Sequence, residues 1–185
     1  MRDSLDNAGS VQYVFGYGSL IWRPGFEFDE VCKVSVAGYE RRFWQASHDH
    51  RGTPEQPGRV VTLVPVQNGE CWGLAYRLSD NRREQILAAL DLREKDGYQR
   101  QFLSVRTESG KPLRALTWVA REDNPSWRGG EPFNRIVNVI STRKGPSGSN
   151  AEYLLKLNEC LLGHNITDSH VQELARSVML RLSDG

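Results

Sequence analysis

Cysteine is scarce: the 185 residues hold three, Cys32, Cys71 and Cys160, far apart in the chain. An odd number without C-x-x-C spacing argues against a disulfide framework and against a zinc site, and fits a reducing cytoplasm. Charge of either sign is not in excess. Twenty-four Lys and Arg face twenty-three Asp and Glu, a net +1, so nothing draws the chain as a whole to nucleic acid or to a membrane surface. No apolar run approaches the ~18 residues of a membrane span. Residues 1–10 are polar, lack an apolar signal core and are expected to be a disordered lead-in. No repeat, low-complexity stretch or domain boundary interrupts the remainder, so residues 11–185 are expected to form one domain, large enough to bury a core. Nucleotide-binding glycine patterns are missing too. G-x-G-x-x-G would need glycine at position 21, where Ile21 stands, and no Walker sequence occurs.

What the chain does have is Val14-Phe15-Gly16-Tyr17-Gly18-Ser19-Leu20-Ile21-Trp22. It starts with β-forming residues, and two glycines then flank Tyr17. Glycine inside a strand pattern marks a bend or a close approach. Bare amides from Tyr17 to Leu20 could hold an anion or an oxyanion; the same residues could equally make a tight turn at a sheet edge. Val11–Tyr17 reads as the first strand and Val31–Ala46 as the second, followed by a loop at Thr53–Gly58. Arg59–Val64 and Cys71–Tyr76 are apolar runs around Asn68-Gly69, a pattern that predicts a hairpin covered on both faces. Gln99–Thr107 and Leu113–Val119 predict a second pair of strands.

Ser79–Leu92 predicts a helix, with Asn81 as cap and Glu84 as its capping-box partner. Its buried stripe runs from Leu87 to Leu90 and, one turn on, to Glu94. An inward carboxylate is costly unless it is paired or protonated. Arg93 and Lys95 do not share a helical face with it, which leaves two readings: an ion pair with an arginine from a strand, or a catalytic acid/base. Helices are also expected over Pro132–Arg143 (stripe Phe133, Ile136, Val137, Ile140), from the Ser149/Glu152 capping box to Gly163, and over Asp168–Leu182 (stripe Val171, Leu174, Ala175, Val178, Leu182). Tyr153 sits early in the second of these, either as a core residue with one hydrogen bond or as a ligand contact. Trp127 is a lid or a plug.

Several features invite other functions. His48-Asp49-His50 suggests a metal, but no third ligand stands at a recognisable spacing, and none is expected. Arg41-Arg42-Phe43-Trp44 mixes basic and aromatic residues, yet one such cluster in a near-neutral chain reads better as a half-buried strand than as a nucleic-acid surface. No histidine is placed near a cysteine, so packing is the expected cysteine role.

Taken in order, Phe15–Trp22, Arg41-Arg42-Phe43-Trp44-Gln45, Asp49-His50-Arg51-Gly52, Pro57–Leu63, Leu90–Tyr98 and Gly145-Pro146-Ser147-Gly148 with Asn150 and Glu152-Tyr153-Leu154 resemble the ChaC family. The likeness spans roughly residues 13 to 162. It departs from some relatives at Asp96, where they carry glycine. The resemblance implies an α+β fold, a small mixed β-barrel flanked by helices. It implies a γ-glutamylcyclotransferase that converts glutathione to 5-oxoproline and cysteinylglycine, with Glu94 as general acid/base and no metal or cofactor. Expected substrate contacts are Val14, Phe15, Gly16, Tyr17, Gly18, Ser19, Leu20, Arg51 and Tyr153. Arg51 and Arg59 are each either a substrate-carboxylate ligand or half of a structural ion pair. Glutathione is the expected small-molecule partner, and the protein is expected to be a monomer or weak homodimer. A cyclotransferase for another γ-glutamyl compound, or a silent binding module of the same fold, would fit the same motifs.

Overall fold

Five strands close into a barrel in the computed structural model, which describes residues 11–184. The expected lead-in therefore lies outside the described residues. β1 is Tyr13–Gly16, β2 Glu30–Ser47, β3 Gly58–Arg77, β4 Tyr98–Thr107 and β5 Pro112–Ala120. Their order around the barrel is β1-β3-β2-β4-β5. Every pairing is antiparallel except the closing one, β1 with β5 (Tyr13 opposite Ala115, Val14 opposite Leu116). The barrel is thus mixed and leaves no unpaired sheet edge between its first and last strands. Four helices surround it: α1 (Arg83–Arg93), α2 (Phe133–Thr142), α3 (Asn150–Gly163) and α4 (Ser169–Ser183). A two-residue ribbon, β6 (Lys144–Gly145) with β7 (Gly148–Ser149), precedes α3. Among the described residues no helix is long and apolar enough to cross a membrane.

The period of two along β1 divides the core. Phe15 and Tyr17 join the large cluster that runs from the barrel to α2, α3 and α4. Val14 points the other way, into a smaller cluster with Leu20, Leu116 and the Ile86, Leu87 and Leu90 of α1. Full burial of each such side chain contributes about 1.5–3 kcal/mol.

Three expectations need correction. The hairpin at Asn68-Gly69 does not form: β3 is one strand that pairs with β2 along its whole length. Ala37 faces Glu70 and Tyr39 faces Pro65, so residues 66–69 bulge out opposite Gly38. Asn68 and Gly38 have φ of +61° and +80°, and the bulge bends the long ladder around the barrel. A local turn signal is satisfied by a bulge when a distant strand supplies the hydrogen bonds. α1 starts at Arg83 rather than Ser79, without a side-chain cap from Asn81; Ser79–Arg82 forms a turn instead, with the Arg82 amide donating to the Ser79 carbonyl at 3.2 Å. Finally, Phe133 (38 % exposed) and Leu182 (50 %) lie outside their helices' buried stripes. Each stands at a helix end, in the first or last turn.

Caps elsewhere follow the sequence. Ser149 Oγ accepts from the Glu152 amide at 3.1 Å, and Asp168 Oδ1 from the Val171 amide at 3.1 Å.

Candidate active site

Past β1 the chain makes a single 3-10 turn, Ser19–Ile21. The Gly18 carbonyl accepts from Ile21 N (3.0 Å) and the Ser19 carbonyl from Arg23 N (2.9 Å). The leading amides of such a turn, at Ser19 and Leu20, have no partner within it. The turn is gripped from behind. Arg41, fully buried on β2, donates from Nε to the Tyr17 carbonyl (2.6 Å), from Nη2 to the Trp72 carbonyl (2.5 Å) and from Nη1 to Asp168 (2.5 Å). Tyr17 donates its hydroxyl to the Trp118 carbonyl (2.7 Å), and Tyr76 donates to the Leu20 carbonyl (2.7 Å). Gly18 is there because nothing larger fits: a Cβ would stand 2.8 Å from Val61 Cγ2 and 3.2 Å from the Tyr153 hydroxyl.

Opposite the turn stands Glu94. α1 ends at Arg93, and Glu94 leaves the helical conformation at φ −89°, ψ 64°, its amide still donating to the Leu90 carbonyl at 2.8 Å. Asp96 (φ +62°) and Gly97 (φ +91°) then reverse the chain into β4. Glu94 lines both a cleft of about 160 Å3 and an adjoining recess of about 40 Å3. The recess is bounded by Phe15, Tyr17, Gly18, Ser19, Leu20, Thr117 and Trp118. Ser19 and Tyr153 also line both spaces.

The Glu94 side chain is one-fifth exposed. Burial raises its pKa above the ordinary carboxylate value, and the nearby Arg93 charge opposes that rise. Three phenols surround the carboxylate. Burial and the Glu94 charge push Tyr17 and Tyr153 well up; burial, the other two phenols and Glu94 do the same to Tyr98. All three therefore stay protonated; Tyr17 donates to the Trp118 carbonyl (2.7 Å) and Tyr98 to the Val61 carbonyl (2.5 Å). The arginine beside Glu94 is Arg93, at the end of α1, and not one from a strand. Arg93 Nε lies 3.5 Å from Glu94 Oε1, because the helix ends between them and helical facing no longer applies.

The structure brings Phe15, Tyr17, Gly18, Ser19, Leu20, Glu94, Arg51 and Tyr153 to the cleft or its recess. Val14 and Gly16 are not among the lining residues. Strand alternation turns Val14 beneath α1, and a Cβ on Gly16 would meet Leu20 Cβ at 2.8 Å. Arg51 lies over the Tyr153 ring (5.5 Å), with Nη1 donating to the Ser149 carbonyl (3.1 Å) and paired with Glu152 (3.4 Å). Its Nε and Nη2 take no hydrogen-bond partner among the described residues, so the guanidinium keeps donors for a ligand. Gly145 lets the ribbon pack on the Arg51 loop; a Cβ there would sit 2.3 Å from the His50 carbonyl. Arg59 is instead half of a buried ion pair, Nη2 to Glu131 at 2.7 Å.

Other candidates resolve into structure. His48 pairs with Asp96 and His50 with Ser147; among the described residues no group of three His, Cys, Asp or Glu could hold a metal. Burial pushes the Cys71 thiol up to about 11, far from thiolate at neutral pH. Trp127 packs edge-on against Trp44 (5.8 Å) and does not line the cleft.

A family model described as ChaC-like protein matches residues 12–181. Gamma-glutamylcyclotransferase 2-3 of Arabidopsis thaliana is 40% identical over 183 residues, covering 94% of this chain and 92% of its own. The glutathione-specific gamma-glutamylcyclotransferase 1 of Homo sapiens is 38% identical over 180 residues, covering 93% and 81%. A crystal structure of the glutathione-specific γ-glutamyl cyclotransferase from yeast matches with a TM-score of 0.86 at 29% identity, over 90% of this chain and 95% of that one. This chain belongs to the ChaC-like family.

Proposed function

We propose that the protein is a glutathione-specific γ-glutamylcyclotransferase that works in the cytoplasm and releases 5-oxoproline and cysteinylglycine. One observation carries the reading: a partly buried carboxylate, Glu94, stands where a narrow recess walled by the glycine turn meets a wider cleft. The names of the relatives supply the substrate class, and free Cys32, Cys71 and Cys160 fit a reducing compartment.

The γ-glutamyl end occupies the recess. Its α-ammonium gives a proton to Glu94, and the freed nitrogen attacks the γ-carbonyl carbon of the same residue. A five-membered ring closes through a tetrahedral oxyanion. The bond from that carbon to the cysteinyl nitrogen then breaks as Glu94 returns the proton to the departing nitrogen; the ring nitrogen sheds its second proton on becoming an amide, and the new α-amine of cysteinylglycine takes that proton up. No water is consumed. Because attack is intramolecular, holding the chain folded contributes much of the rate; well-oriented reactions of this kind gain about 7–11 kcal/mol. The base must bridge the rest. An ordinary glutamate (about 4.3) and an α-amine (about 8) differ by nearly four units, about 5 kcal/mol, and burial of Glu94 narrows that gap. The leading amides of the turn, at Ser19 and Leu20, hold either the α-carboxylate or the oxyanion. Arg51, in the wider cleft, offers a carboxylate ligand for the rest of the peptide.

The test is purified protein with reduced glutathione, following cysteinylglycine and 5-oxoproline by mass spectrometry. Equimolar release of both supports the reading; glutathione left intact over hours overturns it. A panel of other γ-glutamyl compounds separates glutathione specificity from a broader preference.

A further inference from the structure

Arg93 is committed to the glycine turn. Its Nη1 donates to the carbonyls of Arg23 (2.7 Å) and Pro24 (2.9 Å), and its Nη2 donates to Ser19 Oγ (2.9 Å). Three of the five N–H groups are thereby spent; of the two left, Nε faces Glu94 at 3.5 Å, too long for a good hydrogen bond. The guanidinium is rigid and planar, so donors fixed on the turn cannot swing round to form a two-pronged clamp on the carboxylate. Glu94 therefore has a positive charge beside it without being captured by it.

We propose that Arg93 is a positioning residue for the cyclisation: it ties the substrate-holding turn to the base and sets the pH at which the base works. This rests on the cyclotransferase reading above. Two consequences separate. The hydrogen bonds fix the distance between the turn and Glu94, which governs how well a bound γ-glutamyl amine meets the carboxylate. The charge favours the ionised form of Glu94 against burial, which disfavours it. The other groups around the carboxylate are the phenols of Tyr17 after β1, Tyr98 on β4 and Tyr153 on α3. Around the cleft stand Lys95 and Asp96 in the turn after α1, Arg23 beyond the glycine turn, and Asp49, His50 and Arg51 after β2. His48 is occupied with Asp96 (2.9 Å). Of all these, Arg93 is the cation that forms an ion pair with Glu94 among the described residues.

Two variants pull the consequences apart. Arg93→Lys keeps the charge and loses the fork that spans three acceptors. Arg93→Gln loses both. For Arg93→Lys, kcat/KM falls roughly tenfold while the acid limb of the pH profile stays in place. For Arg93→Gln, that limb moves to higher pH by about one unit, as expected for removal of an opposite charge at this distance. A carboxyl titration by 13C NMR of labelled glutamate, assigned by its absence in Glu94→Gln, reads the same shift without turnover. An upward move of the Glu94 midpoint in Arg93→Gln and not in Arg93→Lys supports the role. Equal midpoints in all three folded proteins, or equal profiles for both variants, overturn it. Failure of the wild-type protein to release 5-oxoproline would overturn the cyclotransferase reading, while the titration would still decide separately whether Arg93 tunes Glu94.

Discussion

The two walls of the cleft are built differently. The glycine turn is held by groups that are almost wholly buried: Arg41, Tyr17 and Tyr76 each bond a backbone carbonyl on or behind it, and Gly18 has no room to move past Val61. The Glu94 wall is a helix end followed by two left-handed residues. Its anchors are polar side chains gathered on Asp96: partly exposed His48 and buried Ser126 Oγ (2.8 Å) bond the carboxylate, and buried Gln45 donates to the carbonyl. On the cyclotransferase reading, a wall that only has to hold a γ-glutamyl head folded for ring closure can be locked by packing. A wall that carries a proton shuttle needs a polar, adjustable setting, because every buried partner would also shift its titration. Arg93 joins the two.

Substitution at Glu94 should break this contrast most sharply. Glu94→Gln keeps shape and hydrogen bonding but cannot accept a proton. Turnover is expected to fall by about 10²–10⁴-fold, the usual worth of a general base, measured as 5-oxoproline release. The wild-type acid limb should lie above the ordinary glutamate value, because burial raises the Glu94 pKa. The sign for stability is opposite to that of a salt-bridged acid. The folded state holds the proton to higher pH than the unfolded state, so between the two values stability falls as pH rises. Above the folded-state value the ionised carboxylate carries that full cost. Glu94→Gln removes it and should be at least as stable as wild type in urea; a clearly less stable variant would mean that Glu94 holds the wall together.

On the locked wall the largest effect is expected at Arg41. Arg41→Met strands the Asp168 carboxylate and two carbonyls, those of Tyr17 and Trp72, so about 3–5 kcal/mol of stability is lost in denaturant titration. Gly18→Ala comes next. Its new methyl meets Val61 at 2.8 Å and must displace the turn. Misplacement of that kind costs up to about 10²-fold in kcat/KM while stability drops by about 1–3 kcal/mol. Unchanged kinetics in Gly18→Ala would show that the turn does not set the substrate's position.

On both walls the local features are legible in the sequence and the cross-barrel ones are not, for a physical reason. Strand alternation and glycine spacing are local, so β1, the turn after it and the inward direction of Glu94 can all be read from a few neighbouring residues. Partnerships that cross the barrel cannot. Arg41 reads as part of a basic-aromatic run, and only the closed sheet reveals that its side chain reaches Tyr17, Trp72 and Asp168. Asn68-Gly69 carries a turn signal that the long β2–β3 ladder uses as a bulge. Helical geometry separates consecutive residues and so hides the Arg93–Glu94 pair, but helical geometry stops at Glu94. A stop signal is present in Asp96-Gly97, two residues suited to the left-handed region.

Asp96 gives the smallest and most discriminating effect. A non-glycine residue at φ +62° is strained by about 1 kcal/mol or more. Here the carboxylate offsets that strain: burial pushes its pKa up, but hydrogen bonds from His48 and Ser126 outweigh burial and hold it below the usual range. Its contribution is thus present above the ordinary aspartate value and lost as pH falls through the depressed one. The Asp96 carbonyl accepts from buried Gln45 Nε2 at 2.6 Å whatever the side chain, so the turn keeps one tether in every variant. Asp96→Asn tolerates the same backbone and retains an acceptor, so it should lose under about 1 kcal/mol and stay within a few-fold of wild-type kcat. Asp96→Ala keeps the strain and loses both bonds, and should lose about 1–2 kcal/mol with a larger fall in kcat than in KM, since Glu94 lies two residues away. Asp96→Gly loses the bonds but relieves the strain, and should fall between them. If Asp96→Ala matched Asp96→Asn in both urea midpoint and kcat, the polar wall would owe its position to Gln45 and the helix end alone, and its contrast with the locked wall would narrow to a single hydrogen bond.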